Sequence, residues 1–250
     1  MFLFTDRAPA QPPASVGGGV SPALRAAAER TGTPFNYLLE TARRESGLRP
    51  DAKAATSSAR GLFQFIEQTW LSLVRSDGAA HGLAAEAERI SVDPRGRAHV
   101  GDPSERTRIL HLRNDPDIAA RMAGVLAGKN RAGLSGSLGR EPTQGELYIA
   151  HFLGTAGASA LIRLKEREPA AAAASHFPQA AASNRSVFYS RDGQARSVEA
   201  VYSRLVRGFD AGEAPVAMVA EAAPASAPFH GMFRTHAPVA KSVADAWLPL

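Results

Sequence analysis

A helix with an acid on its apolar face most constrains the fold of this chain. Residues 34–46 begin at Pro34, whose missing N–H needs no partner in a first helical turn, and Thr33 is the predicted N-cap. They end at Gly47, a residue type that commonly terminates helices. Glu45 continues a stripe of apolar residues at the spacing of one buried face: Phe35, Leu38, Leu39 and Ala42. The sequence therefore predicts a core-facing carboxyl group in the last turn.

That position disfavours the ionised form of Glu45. Burial penalises the charge, and the end of a helix carries the negative end of the helix dipole. A carboxyl group that keeps its proton is the kind of general acid that glycosidases use on a leaving oxygen. The spacing alone leaves a second interpretation open, in which Glu45 turns outward and is solvated.

Two short motifs follow one another at this helix end: Glu45-Ser46, then Gly61-Leu62-Phe63-Gln64-Phe65. Their order and spacing resemble the soluble lytic transglycosylases, which share the goose-type lysozyme fold. In that family a Glu-Ser pair closes the catalytic helix, and a Gly-Leu-Met-Gln-(Ile/Val) segment lines the sugar cleft. Residues 48–60 also resemble the connector between the family's two motifs. Phe63 stands at the methionine position and Phe65 at the β-branched position, and both keep an apolar character.

The resemblance implies cleavage of the β-1,4 bond between N-acetylmuramic acid and N-acetylglucosamine in peptidoglycan, without a cofactor. Glu45 protonates the leaving oxygen and then acts as base on the muramic C6 hydroxyl, so that a 1,6-anhydro ring forms. One carboxylate suffices because the acetamido group of the substrate stabilises the developing cation. The resemblance also makes four residues candidates for binding the sugar or orienting the glutamate: Ser46, Phe63, Gln64 and Phe65.

Two later segments depart from the family. Residues 150–154, Ala-His-Phe-Leu-Gly, stand where the family carries Ala-Tyr-Asn-Ala-Gly, whose Tyr and Asn help hold the glutamate and the sugar. His151 can supply one of those hydrogen bonds, but Phe152 cannot replace an amide. When Arg196 is matched to the arginine of the family's Thr-Arg-x-Tyr-Val segment, Val198 takes the place of a tyrosine that contacts the glutamate. The nearest substitutes are Tyr202 and Tyr189.

Helix formers are plentiful and strand patterns are sparse, which indicates an all-α class. At 250 residues and 44% hydrophobic content, the chain can hold one sizeable domain, and no apolar run approaches the ~20 residues of a membrane span. We expect a lysozyme-like helical domain over residues 21–208. A flexible leader over 1–20 and a disordered, Ala- and Pro-rich tail over 209–250 flank it.

Helix signals divide the domain further. A capping box at Thr143 and Glu146 opens one helix, and Ser197 caps the last. Residues 129–140, with three glycines, and residues 184–189 are predicted to be irregular or extended. The predicted helices are 21–30, 34–46, 62–74, 84–90, 103–113, 116–127, 147–153, 156–165 and 197–206.

Composition limits the cofactors and partners. The chain has no cysteine and no metal-ligand spacing, so we expect no disulfide, metal or cofactor. A net charge of +5 favours acidic partners, and the scattered arginines favour peptidoglycan, with its peptide carboxylates, over nucleic acid. The expected location is the cell envelope or periplasm. Residues 1–4 are too short for a signal-peptide core, so either the start is misassigned or a secretion or flagellar apparatus exports the chain.

Two other functions stay open at this stage. A hydrolytic lysozyme on the same fold would use water as the nucleophile and a second acid, for which Asp51 is the candidate. A non-catalytic glycan-binding or structural module of an envelope machine would fit the altered residues 150–154. DNA binding is a more distant third.

Overall fold

The chain folds into eleven α-helices over residues 19–55 and 57–209, the parts that this computed structural model describes. The helices are α1 (Val20–Thr31), α2 (Phe35–Ser46), α3 (Glu67–Asp77), α4 (Ala84–Glu88), α5 (Pro103–His111), α6 (Pro116–Leu138), α7 (Gln144–Arg167), α8 (Ala173–His176), α9 (Pro178–Ser183), α10 (Arg185–Phe188) and α11 (Val198–Val206). Two short 3-10 turns (Gly78–His81 and Leu112–Asn114) and an antiparallel ribbon of β1 (Ser91–Val92) and β2 (Ala98–His99) complete the described part. The predicted all-α class is confirmed for these residues.

The long helices α6 and α7 lie at the centre of the fold. Helix α6 packs against α1, α2, α3 and α7, and α7 also packs against α11. The predicted leader and tail lie outside the described residues except for their inner ends. Val20 already belongs to α1, and Phe209, which the sequence assigned to the tail, is buried in the core.

Helix α2 is confirmed, but its start differs from the prediction. Thr33 does not cap it, since the Thr33 hydroxyl donates to the Gly124 carbonyl oxygen of α6 at 3.0 Å. Gly47 ends the helix in the left-handed conformation, at φ +62°, and its N–H donates to Arg43. The buried face is rotated slightly from the predicted stripe, because Phe35 and Leu39 are only partly covered. Its members are Tyr37, Leu38, Thr41, Ala42, Glu45 and Ser46.

The helix predicted from Leu62 begins only at Glu67, and residues 61–65 form a tight turn. Gly61 has φ +78° and Gln64 has φ +47°, and neither value fits a right-handed helix. Arg113 lies behind this turn and donates to the Ser58 and Phe65 carbonyl oxygens at 2.7 and 2.9 Å. Burial lowers the pKa of the Arg113 guanidinium to about 10. A buried arginine therefore holds the turn in place of helical hydrogen bonds.

Helix α6 continues to Leu138, so the loop predicted over 129–140 is wrong. Two glycines in α6, Gly124 and Gly133, lie where neighbouring elements approach closely. A Cβ on Gly124 would lie 2.3 Å from Thr31 Oγ1, and one on Gly133 would lie 2.8 Å from Thr155 Cγ2. Tertiary packing thus outweighs the low helix propensity of glycine.

Helix α7 carries the residues that approach Glu45. The predicted capping box is confirmed, because the Thr143 hydroxyl accepts the Glu146 N–H and the Glu146 carboxylate accepts the Thr143 N–H. Gly154 interrupts α7 with φ +73°, at the predicted helix end, and the helix then continues to Arg167. By length and composition α7 has a window apolar enough to cross a membrane, yet 56% of that window is buried within the fold. Helix α7 is therefore a core helix of this fold.

The last elements are partly as predicted. Residues 184–189 were expected to be irregular or extended, but Arg185–Phe188 form the short helix α10, which contributes two buried side chains, Val187 and Phe188. Ser197 caps α11 as predicted, and its hydroxyl accepts the Ala200 N–H at 3.2 Å.

Candidate active site

Glu45 is buried at the end of α2 and faces α7. The residue is 5% exposed, so the interpretation of an outward, solvated carboxyl is wrong. The Tyr148 hydroxyl donates to Glu45 Oε1 at 3.2 Å, and His151 Nε2 lies 3.4 Å from the same oxygen. Tyr148 and His151 are three residues apart, which places both on one face of α7. One face of α7 therefore holds the carboxyl group that α2 presents.

The two oxygens of Glu45 have different surroundings. Oε1 takes both polar contacts, whereas Oε2 has no hydrogen-bond partner within residues 19–55 and 57–209. Oε2 is not fully buried, so it retains some access to the surface. With Tyr148 and His151 beside Oε1, Oε2 is the oxygen of Glu45 that is left for further contact.

Tyr148 keeps its hydrogen and acts as a donor. Burial raises the pKa of the Tyr148 hydroxyl well above its usual value, and the charge of Glu45 raises it further, although Arg44 lowers it. The pKa of Tyr37 in α2 is raised as well, mainly by burial and to a smaller extent by Glu45, against a hydrogen bond with Thr41 that lowers it. Both tyrosines are therefore neutral neighbours of the acid at any ordinary pH.

Sequence analysis missed Tyr148. The family comparison drew attention to residues 150–154 and to a later tyrosine, and Tyr148 lies just before that segment. A usable signal was present, because Tyr148 and His151 share the i, i+3 spacing of one helix face. The hydroxyl beside Glu45 Oε1 comes from this turn of α7.

Ser46 and Gln64 support the backbone around the glutamate. Ser46 Oγ lies 3.0 Å from the Ala42 carbonyl oxygen and 2.9 Å from the Leu62 carbonyl oxygen, and it accepts the Arg49 N–H at 3.1 Å. Ser46 is 1% exposed, so its hydroxyl is not available to a sugar. The Gln64 amide donates to carbonyl oxygens within its own loop, at 2.9 and 3.1 Å. Neither side chain contacts the Glu45 carboxyl.

The aromatic residues proposed for substrate binding belong to the core. Phe63 is 1% exposed and Phe65 is 3% exposed. The Phe65 ring packs on Trp70 at a centroid distance of 5.2 Å and on Phe63 at 6.4 Å. Phe152 is buried too. The prediction that Phe63 and Phe65 line a sugar cleft is wrong for this conformation, since buried rings present no surface to a ligand.

The tyrosine substitutes suggested by the sequence lie elsewhere. The Tyr202 hydroxyl donates to Glu146 Oε1 at 3.4 Å and does not contact Glu45. The Arg185 guanidinium lies 4.6 Å from the centroid of the Tyr189 ring. Of the residues predicted to touch the glutamate, His151 is the one that the structure brings to it.

A second acid does not contact Glu45 within the described residues, and Asp51 is exposed in the turn after α2. The same residues contain no group of three His, Cys, Asp or Glu side chains placed to hold a metal ion. The arrangement is one buried carboxyl group, a tyrosine donor, and a histidine beside the same oxygen, which suits proton transfer by Oε2. No model of a known protein family matches the sequence.

Proposed function

We propose that this protein is a lytic transglycosylase of peptidoglycan with a lysozyme-like fold and Glu45 as its acid and base. The observation that carries the proposal is the asymmetry of the Glu45 carboxyl, with both contacts on Oε1 and access to the surface left to Oε2. The motif Glu45-Ser46 and the turn at residues 61–65 support it through their resemblance to that family. The substrate would place the protein in the cell envelope.

The reaction needs one carboxyl group in two steps. Oε2 of protonated Glu45 gives its proton to the glycosidic oxygen as the bond from muramic C1 breaks. The same oxygen then takes the proton of the C6 hydroxyl while the C6 oxygen closes on C1. The products are a 1,6-anhydro end and a free N-acetylglucosamine hydroxyl, and the acid is regenerated. Tyr148 and His151 hold Oε1 through both steps.

The single acid favours this reaction over hydrolysis. A hydrolase that inverts configuration needs a second carboxylate to activate water, and one that retains it needs a second carboxylate as nucleophile. Asp51, the candidate for that role, is exposed in the turn after α2, outside the buried group that Glu45 forms with Tyr148 and His151. Internal attack by the C6 hydroxyl needs no such partner.

A non-catalytic module that binds glycan strands is the second candidate. The burial of Phe63, Phe65 and Phe152 favours it, because the aromatic side chains that should contact a sugar in this region are occupied by the core. Such a module would bind peptidoglycan and leave it intact.

Digestion of purified peptidoglycan by a charge-matched pair of variants tests the proposal. Glu45→Gln should abolish release of soluble fragments, because an amide cannot supply the proton, and we expect a loss of at least about 10³-fold. Glu29→Gln removes an exposed carboxylate of α1 and gives the same net charge, so it should digest like the wild type. Circular dichroism confirms that both variants are folded.

Mass spectrometry of the fragments separates the candidates. Anhydro ends lack one water relative to reducing ends, so they support the transglycosylase and contradict the hydrolase. Retention of the wild type on insoluble peptidoglycan without any product supports the binding module. Undiminished digestion by Glu45→Gln contradicts the proposed role of Glu45.

A further inference from the structure

The turn that follows α11 reaches the tyrosine that holds Glu45. After Val206 the chain turns at Gly208, which has φ +89°, and it brings Phe209 into the core at 6% exposure. The Phe209 ring stacks on the Tyr148 ring with centroids 4.8 Å apart and an angle of 26° between the planes. It also lies 5.7 Å from the ring of Tyr37. A residue far along the chain thus covers the side chain that donates to the acid.

Arg44 joins the same group from α2. Its guanidinium carbon lies 4.8 Å from the Tyr148 ring centroid and 4.7 Å from the Phe209 ring centroid. Its Nη1 donates to the Leu205 carbonyl oxygen at 2.7 Å, and its Nε lies 3.3 Å from Glu40 Oε1. The side chain is 18% exposed, and contact of a partly desolvated guanidinium with an aromatic face is attractive. Arg44 therefore ties α2, α7 and the end of α11 together at one point.

The turn is built to fit against this arginine. A Cβ on Gly208 would lie 2.8 Å from Glu40 Oε1 and 3.5 Å from Arg44 Nη2, so only glycine allows this close approach. The positive φ of Gly208 adds a second reason for glycine at that position. The approach brings Phe209, the next residue, against Tyr148.

We propose that Arg44 and Phe209 are positioning residues for the acid. They touch neither Glu45 Oε2 nor the space beside it. They hold the Tyr148 ring so that its hydroxyl stays on Glu45 Oε1, and this keeps the acidic proton on Oε2. The expected effect on catalysis rests on the proposed function, but the position of the Tyr148 ring can be measured without substrate.

The neighbouring residue Arg43 offers a matched control. Arg43 and Arg44 both pair with Glu40, at 3.0 and 3.3 Å, and both lie in the last turns of α2. Only Arg44 contacts the rings of Tyr148 and Phe209, and Arg43 is 49% exposed. Arg43→Met and Arg44→Met change the net charge equally, so a difference between them reports what Arg44 contacts beyond Glu40, namely the two rings and the Leu205 carbonyl oxygen.

The substrate-free arm uses tyrosine labelled with ¹³C at the hydroxyl-bearing ring carbon. The chain has four tyrosines, so the wild-type spectrum has four signals, and Tyr148→Phe identifies the one from Tyr148. We expect Phe209→Leu and Arg44→Met to move that signal, Phe209→Tyr to leave it in place while adding a fifth tyrosine signal, and Arg43→Met to leave it in place. Phe209→Leu alters no charge but removes the ring current of Phe209, so a shift beyond that contribution reports a displaced Tyr148 ring.

The catalytic arm measures turnover and its pH profile on peptidoglycan. A loose Tyr148 should lower kcat by about 10- to 100-fold with little change in KM, because the acid is misplaced while substrate contacts remain. Phe209→Tyr should restore kcat to within about threefold of the wild type. Arg44→Lys keeps the charge but lacks the planar group that stacks on rings, so it should fall between the wild type and Arg44→Met.

The two arms separate the possible failures. An unmoved Tyr148 signal in Phe209→Leu, or an equal shift in Arg43→Met, overturns the positioning role whatever the activity. A moved signal with unchanged kcat and pH profile overturns its catalytic consequence. A wild type that leaves peptidoglycan intact overturns the proposed function, and the labelled spectra still decide whether Arg44 and Phe209 hold Tyr148. Should Phe209→Leu fail to fold, Arg44→Lys gives the same readout.

Discussion

The two sides of the Glu45 site are built by different kinds of contact. On the α7 side, Tyr148 and His151 reach the carboxyl group with their own polar atoms. On the loop side, which comprises Ser46 and residues 61–65, side chains bond to backbone carbonyl oxygens or fill the core. The loop side has the stronger resemblance to the transglycosylase motifs, and the α7 side departs from them. A motif can therefore mark the backbone that supports a site while other residues supply the contacts.

The largest expected effect lies on the loop side, at Gly61. A Cβ there would be 1.8 Å from the Arg113 carbonyl oxygen, and Gly61 has φ +78°. Gly61→Ala should lower the free energy of unfolding by about 3 kcal/mol or more, since a backbone clash adds to the conformational strain. Urea unfolding measures the loss.

Gly96→Ala is the control for that prediction. Gly96 has nearly the same conformation, φ +76°, but nothing lies within 4 Å of its added Cβ. It should cost only the strain term of about 1 kcal/mol. Equal losses in the two variants would mean that the turn at residues 61–65 shifts easily, and the loop side would no longer count as a rigid support.

The second effect lies on the α7 side, at Tyr148. Tyr148→Phe keeps the ring contacts and removes the donor to Glu45 Oε1, a bond worth about 2 kcal/mol once the carboxyl has given up its proton and is ionised. We expect kcat/KM on peptidoglycan to fall by about 30-fold. Tyr189→Phe removes an outlying hydroxyl and should leave kcat/KM unchanged. Unaltered kcat/KM in Tyr148→Phe would leave His151 as the one side chain that orients the acid.

The sequence predicted the helices whose signals are local. Proline at a first turn, the capping box at Thr143 and the cap at Ser197 depend on nearby residues alone, and those helices are present. The errors arose where residues distant in sequence determine the local backbone structure. Arg113 holds residues 61–65 in a turn, and Thr155 on α7 makes Gly133 a packing contact within α6. Neither partner is visible in a local window.

The residues of the candidate site also fall into two groups, those that a local pattern predicted and those that distant contacts place. The buried Glu45 followed from the period of α2, because a helical period fixes the direction of a side chain. The contacts of Tyr148, Arg44 and Phe209 depend on how α2, α7 and the end of α11 meet, and spacing along the chain does not specify that. Phe63 and Phe65 were assigned to a cleft because the family motif lines one, yet their rings pack in the core beside Trp70.

A third prediction concerns Ser46. Its substitution should lower stability and leave turnover nearly unchanged, whereas Tyr148→Phe should lower turnover. Ser46→Ala removes the hydroxyl that joins the end of α2 to the Leu62 carbonyl oxygen, so the free energy of unfolding should fall by about 1 kcal/mol. Turnover should change by less than about threefold, because the hydroxyl bonds to backbone groups and not to the Glu45 carboxyl. Ser186→Ala, in an exposed position of α10, is the stability control. A large loss of turnover at unchanged stability would give Ser46 a direct part in the reaction.

The smallest expected effect tests how α7 is anchored, at Glu146, two residues before Tyr148. Its carboxylate accepts two hydrogen bonds from Arg140, at 2.7 and 2.8 Å, and the Thr143 N–H. Burial alone would raise the pKa of Glu146, but the bonds from Arg140, Thr143 and Tyr202 outweigh it, so the pKa is lowered. A lowered folded-state pKa means that the stabilisation is complete above the unfolded value, 4.5, and is lost as pH falls through the folded value.

The wild type should therefore lose about 1 kcal/mol of unfolding free energy through this group when acidified, a modest value because the Arg140 side chain is 45% exposed. Glu146→Gln should lose stability at neutral pH and show a flatter decline, measured as the urea midpoint between about pH 6 and pH 3. Glu29→Gln, on α1, should follow the wild-type decline. If Glu146→Gln declines as steeply as the wild type, the first turn of α7 is held by helix packing and not by the Arg140–Glu146 pair. The ionic anchor would then contribute nothing to the placement of Tyr148 and His151.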